Sequence, residues 1–154
     1  MLSRLTVILL LSLGLTTCLH LSSSGTVGSK DSRITDQYNM IVDLFKMCGK
    51  EKDLERLDKT TVLFKDLRGS YGECQPYANI VRIHQGTWHF LAPIEKLELL
   101  LHEIGHCALL MDHRENSIMQ TTGFLSGDFY MNFDHYMNEY FQCKDCCNIP
   151  KDFL

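Results

Sequence analysis

Residues 93–111 form an apolar stretch with helical spacing, and two histidines and a glutamate lie within it. Pro93 suits the first turn of a helix, and the acidic residues that follow it suit the positive end of the helix dipole. Apolar residues occupy nearly every side of this helix, which predicts a position in the core. His102, Glu103 and His106 are therefore expected to lie among leucines, where polar groups need a partner.

The two histidines, His102 and His106, are four positions apart. On a helix this spacing places both imidazoles on one face, where they can share one metal ion. A catalytic zinc site uses three protein ligands and keeps an open position for water. Glu103 follows the first histidine and can accept a proton from that water without being a ligand. The pattern predicts one catalytic Zn²⁺ rather than a pair of core histidines.

The third ligand is expected from the residues that follow this helix. His113 and Asp112 are both candidates, and imidazole is the commoner third ligand in such sites. If Asp112 does not bind the metal, its carboxylate can orient a ligand imidazole. Glu139, in the predicted last helix, is a more distant alternative. The predicted metal ligands are His102, His106 and His113.

The stretch 102–119 resembles the metzincin clan of zinc metallopeptidases, which share the pattern HExxHxxGxxH and a methionine-containing turn under the metal. Met119, six residues beyond His113, matches that methionine. The resemblance implies an α+β fold: a small metzincin-like zincin domain with a mixed sheet, a central active-site helix and a C-terminal helix. It also implies that an extended substrate lies along an edge strand, for which we expect residues 79–85.

Two branches of this likeness differ in the third ligand. The snapalysin branch has HExxHxxGxxDH and uses an aspartate at the position of Asp112. A looser group of exported bacterial and phage metallopeptidases has HExGHC-x5-H, which Cys107 and His113 match more closely. Leu109 stands where the metzincin pattern has its glycine, and His113 comes one residue later than the last histidine of that pattern.

The motif therefore implies a zinc-dependent endopeptidase that hydrolyses a peptide or protein substrate, with Glu103 as the general base. The alternatives are a non-catalytic metal-binding protein of the cell envelope and an export-anchored binding module. Glu103 favours the enzyme, since structural zinc does not need that carboxylate. The formal net charge is -4 and no run of Lys or Arg occurs, which argues against nucleic-acid binding. We expect a monomer.

The N-terminus has the pattern of an export signal. Arg4 lies in a short basic segment, and residues 5–15 form an apolar stretch too short to span a bilayer. Cys18 stands where a lipoprotein carries its lipid anchor, and cleavage near it with full secretion is the equal alternative. We predict an exported protein, secreted or lipid-anchored in the envelope. Its predicted segments are a signal peptide (1–18), a flexible Ser/Gly-rich spacer (19–33) and a metallopeptidase domain (34–154).

Six of the seven cysteines follow residue 18. An even number in an exported chain fits up to three disulfides, whose pairing the sequence leaves open. Cys143, Cys146 and Cys147 could instead form a second, structural zinc site. No matching cysteine pair lies close by, so we favour disulfides to Cys48, Cys74 or Cys107.

Apolar periodicity predicts two further helices and two strands. The helices cover 34–49, ended by Gly49, and 133–141, and the strands cover 60–67 and 79–85. A turn or short helix is expected at 50–59. A loop that contains Cys74 is expected at 69–76, because Gly and Pro are frequent there.

Overall fold

A computed structural model describes residues 28, 30–121, 123–143, 147, 149–150 and 152–154. Its helices are α1 (Thr35–Met47), α2 (Glu51–Lys59), α3 (Gln85–Phe90), α4 (Pro93–Cys107), α5 (Gly127–Met131) and α6 (Phe133–Tyr140). Its strands are β1 (Thr61–Lys65), β2 (Gly72–Gln75) and β3 (Ile80–His84). Helices beside one small sheet agree with the predicted α+β class. The predicted signal peptide, Cys18 and Cys146 lie outside the described residues.

The sheet is mixed, as predicted, with the strand order β1-β3-β2. β1 runs parallel to β3, and β2 runs antiparallel to it, so that Val81 of β3 lies between Val62 and Cys74. The expectation that residues 79–85 form the edge strand is therefore wrong, because β3 is the central strand. The edge strands are β1 and β2, and β2 lies in the stretch predicted as a loop.

Helix α4 is the centre of the core, and α1 packs against it. Leu100, Leu101 and Ile104 of α4 are fully buried, as are Leu44 and Phe45 of α1. Burying a side chain of this size contributes roughly 1.5–3 kcal/mol. Helices are found in each of the stretches predicted to be helical. The first helix ends as expected, because Gly49 adopts a left-handed conformation with φ 65°.

Helix α4 ends at Cys107, four residues before the predicted end at Met111. Leu110 adopts a left-handed conformation with φ 55°, which a continuing helix cannot accommodate. The amide of Met111 then donates to the carbonyl of Gly105 over 2.9 Å. The apolar pattern continues through this turn, so periodicity alone places the end of the helix too late.

Two disulfides link distant parts of the chain. Cys48 at the end of α1 pairs with Cys147, and Cys74 of β2 pairs with Cys107 at the end of α4. Cys143 is disulfide-bonded as well. The prediction that a cysteine of the C-terminal group pairs with Cys48, Cys74 or Cys107 agrees with the Cys48–Cys147 bond. Cys74 and Cys107 pair with each other instead. A structural zinc site that uses Cys143 and Cys147 as thiolates does not agree with these bonds.

The described end of the predicted spacer contacts the domain. The amide of Gly28 donates to Asp58 over 2.8 Å, and the amide of Asp31 donates to Val62 over 3.0 Å. Lys30 forms a parallel bridge with Val62 of β1. These residues therefore belong to the folded unit. Within the described part of the chain, no helix has the length and apolar character needed to cross a membrane.

Candidate metal centre

The three histidines predicted as metal ligands come together at one end of α4. The Nε2 atom of His106 lies 3.1 Å from Nε2 of His102 and 3.1 Å from Nε2 of His113. His102 and His106 are on successive turns of the helix, whereas His113 comes from the segment that folds back after it. One ligand atom from each lies within 4.8 Å of the other two, a group that could hold a metal ion.

Backbone carbonyls fix the orientation of two of these imidazoles. Nδ1 of His102 lies 2.8 Å from the carbonyl oxygen of Ile118, and Nδ1 of His106 lies 2.7 Å from that of Met111. A carbonyl oxygen only accepts, so each Nδ1 carries the proton and donates it. Each Nε2 of the neutral rings then presents a lone pair toward the other, which is the orientation of a metal ligand.

The geometry of the Nε2 atoms fits a bound cation. Two lone pairs that face each other across 3.1 Å repel unless a positive charge lies between them. Zinc–nitrogen bonds of 2.0–2.1 Å in tetrahedral geometry separate the nitrogens by about 3.3 Å. Burial also favours the neutral rings, since it lowers the pKa of His102 to about 4 and lowers the pKa of His106. The three side chains thus suit a divalent metal ion.

The side chain of Glu103 extends from α4 toward the edge strand β2. Only 4% of the residue is exposed, and it lines the same cleft as the three histidines. β2 approaches so closely at Gly72 that a methyl group there would lie 2.6 Å from Oε1 of Glu103. Burial raises the pKa of the Glu103 carboxyl to about 8, and the charge of Glu73 acts in the same direction. A carboxyl in this position can exchange a proton with a group in the cleft.

Met119, which was predicted to lie in a turn under the metal, packs against the helix that carries two of the histidines. Met119 is 1% exposed and packs against Gly105 of α4. The carbonyl of Met119 accepts from the amide of Arg114 over 2.9 Å, and its amide donates to Oγ of Ser117 over 3.0 Å. The preceding carbonyl, that of Ile118, is the one that orients His102. The turn therefore positions a ligand through its backbone.

The segment after α4 turns sharply before it reaches His113. The chain reverses through the left-handed Leu110, not through Leu109, which stands at the position of the pattern's glycine. His113 follows this turn and reaches the other two histidines. Asp112 is exposed in the cleft lining and is not in the histidine group.

The other candidate ligands lie elsewhere. Glu139 of α6 lines a second, small cavity with Arg114 and Ser117 and does not belong to the histidine group. His84 lines the cleft, where its Nδ1 accepts from the amide of Thr87 over 3.2 Å and so caps α3. His89 is exposed.

The histidines open onto a cleft of about 1000 Å³. Some of its lining was not predicted: Glu98 lies one turn before His102, and Tyr71 stacks on Phe124 with ring centroids 5.5 Å apart. Only the helical spacing between Glu98 and His102 could have indicated that the two share a face. Tyr71 and Phe124 come from separate loops, and no local pattern predicts their contact.

The described residues thus contain a cleft, three convergent histidines and a buried carboxyl. This donor set could bind a metal ion, and the geometry leaves the identity of the metal open. The resemblance to metzincins depends on residues 102–119. Comparison of the chain with protein-family models, with curated proteins and with solved structures found no match.

Proposed function

We propose that this protein is a zinc-dependent endopeptidase in which His102, His106 and His113 hold the metal. The observation that carries the proposal is the convergence of three Nε2 atoms, two of them 3.1 Å from the third, beside the buried Glu103. Three imidazoles are a ligand set that zinc favours, and they leave a position open for water.

The residues of the chain have distinct roles in this proposal. A zinc ion bound there supplies a Lewis acid and acidifies a water molecule. Glu103 accepts the proton that the attacking water loses and returns it to the leaving amine. Gly72 keeps β2 against the Glu103 carboxyl, which limits the movement of this general base. Ile118 and Met111 keep His102 and His106 in the ligand orientation.

The edge strand supports a polypeptide as the substrate. One edge of β2 pairs with β3, and the opposite edge pairs with no strand among the described residues. An extended peptide can add to such an edge through backbone hydrogen bonds. β2 contacts Glu103 at Gly72, so a peptide along this edge has its backbone near the general base. The cleft volume suits a chain segment of a few residues.

The test uses the full chain purified with its disulfides intact. Bound zinc is quantified, and cleavage of an unfolded protein is measured with and without a chelator. We expect about one zinc per chain and chelator-sensitive cleavage that Glu103→Gln abolishes. Glu115→Gln, which changes an exposed carboxylate outside the cleft lining, is the matched control and should leave cleavage intact.

The outcomes separate the proposal from its alternatives. Zinc near one per chain without any Glu103-dependent cleavage supports a non-catalytic metal-binding protein instead. Absence of tightly bound metal contradicts both metal-dependent functions and leaves a binding module.

A further inference from the structure

Helix α4 carries a second buried carboxylate, Glu98, one turn before His102. Only 3% of Glu98 is exposed, and it also lines the cleft. Burial raises the pKa of its carboxyl, and a carboxylate in such a place is unfavourable unless hydrogen bonds compensate it. The proposed hydrolysis gives Glu98 no role, so its function must follow from its hydrogen-bond partners.

Both carboxylate oxygens of Glu98 accept from a segment distant in sequence. Oε1 accepts from the amide of Leu125 over 2.7 Å, and Oε2 accepts from the amide of Ser126 over 3.2 Å. Oγ of Ser126 also donates to Glu95 of the same helix over 3.1 Å. Glu98 therefore holds Leu125 and Ser126, and Glu95 holds Ser126 as well. Hydrogen bonds to a charged acceptor are stronger than neutral ones.

The segment held in this way forms one wall of the cleft. Its residues Gln120, Thr121, Gly123 and Phe124 line the cavity, and Phe124 stacks on Tyr71. Ser126 adopts φ 44°, a conformation that is strained for a residue other than glycine. Such strain persists only when the surroundings fix it, and the hydrogen bonds to Glu98 and Glu95 do so. The position of the wall thus depends on α4.

We propose that Glu98 is a positioning residue that holds residues 120–121 and 123–126 as a wall of the substrate cleft. This inference rests on the proposed peptidase function. Substrate affinity then depends on Glu98, whereas metal binding and the hydrolytic step do not. Because His102 lies one turn away on the same helix, the carboxylate sets the distance between the wall and the metal ligands.

The decisive variant is Glu98→Gln, which keeps the shape of the side chain but places an NH₂ group against a backbone amide. We expect KM for a peptide substrate to rise about tenfold, the effect of losing one such hydrogen bond, with kcat and zinc content nearly unchanged. Amide hydrogen exchange in residues 120–121 and 123–126 should become faster, while exchange in β2 should not change. Glu55→Gln, on the exposed face of α2, is the control and should change neither KM nor the amide exchange of the cleft wall.

A second variant covers the case in which Glu98→Gln does not fold. Ser126→Ala removes only the Oγ bond to Glu95 and keeps both amide bonds to Glu98, so we expect a smaller change in the same direction. Phe124→Ala should raise KM as well, and its effect should not add to that of Glu98→Gln if both act through the wall.

Several results would overturn the inference. These are unchanged KM and unchanged amide exchange in Glu98→Gln, a loss confined to kcat, or fully additive effects of the two substitutions. If the unmodified protein cleaves no peptide, the proposed function fails and the role in substrate affinity fails with it. Amide exchange, which needs no activity, then decides separately whether Glu98 holds the segment.

Discussion

Met119 packs so closely against Gly105 that a methyl group on this glycine would lie 2.5 Å from the methionine sulfur. Tyr140 is also near, since its Cε2 atom would lie 3.3 Å from the same methyl group. Glycine usually weakens a helix interior. At Gly105 it allows the methionine turn to lie against α4 between the two helical histidines.

Replacing Gly105 with alanine should therefore displace the Met119 turn and, through it, the proposed metal ligand His102. Met119 has to move, and the adjacent Ile118 carbonyl that orients His102 moves with it. We expect Gly105→Ala to lower zinc affinity about 10- to 100-fold, as other changes to ligand-orienting groups do, and to destabilise the metal-free protein by about 1–3 kcal/mol. Competition with a chromophoric chelator and urea unfolding measure the two effects. Gly127→Ala is the control, because a methyl group on Gly127 would have no neighbour within 4 Å. It should change neither the zinc affinity nor the stability.

Gly72→Ala should displace Glu103, the proposed general base, without weakening metal binding by the three histidines. A methyl group there would lie 2.6 Å from Oε1 of Glu103, so the carboxyl or β2 has to shift. A misplaced catalytic group lowers the rate by about 100-fold, and we expect a loss of this order in kcat with normal zinc content. Steady-state cleavage assays on protein of known zinc content measure it. Normal kcat in Gly72→Ala contradicts the proposed role of Glu103.

His113→Ala and Asp112→Ala together test the third ligand. His113 has its Nε2 atom 3.1 Å from that of His106, whereas Asp112 is exposed and outside the group. We expect His113→Ala to weaken zinc binding roughly 100-fold or more and Asp112→Ala to change it by about 10-fold or less. Zinc retained after dialysis against a graded chelator series distinguishes them. The opposite order assigns the ligand to Asp112.

The Cys74–Cys107 and Cys48–Cys147 disulfides should differ in their effect on activity. Cys74–Cys107 closes a separation of 33 residues and Cys48–Cys147 one of 99. Replacing both cysteines of a pair with serine should destabilise the protein by about 3–4 and about 4–5 kcal/mol respectively, from the entropy of the unfolded chain. Only the first pair links β2 to α4, so only its loss should raise KM under native conditions. Urea unfolding and peptide cleavage measured in parallel check both statements.

Leu110→Gly should stabilise the protein, whereas Leu109→Gly should not. Leu110 has φ 55°, and relief of this left-handed strain is worth about 1 kcal/mol. Leu109 has no positive φ, so glycine there adds only conformational freedom to the unfolded chain. The midpoints of urea unfolding measure the difference. A gain in Leu109→Gly alone would mean that the chain turns at the position of the metzincin glycine instead.

Apolar periodicity was sufficient to predict the elements that build the core. α1, α4 and α6 each bury the face that their spacing indicates, and Pro93 marks the start of α4. β2 was missed because its residues Gly72–Gln75 show no apolar alternation, and its strand conformation comes from pairing with β3. The short helices α3 and α5 have five or six residues, too few for a periodic pattern.

Local spacing likewise predicted only part of the candidate site. The four-residue separation of His102 and His106 predicts a shared face, and His113 is close enough in sequence to join them. Glu98 could not be identified in this way, since its partners Leu125 and Ser126 are 27 and 28 residues away. The carbonyls that orient the imidazoles could not be predicted either, because every residue type has the same backbone carbonyl.

Segment 111–119 contributes to all three candidate ligands. Met111 and Ile118 orient His106 and His102 through their carbonyls, and His113 lies between them in sequence. A metal ion held by the three histidines would add His113 to these two contacts, so that the segment would be joined to α4 at three points instead of two. A metal bound there would thereby restrain local opening of this segment in addition to using its histidine as a ligand.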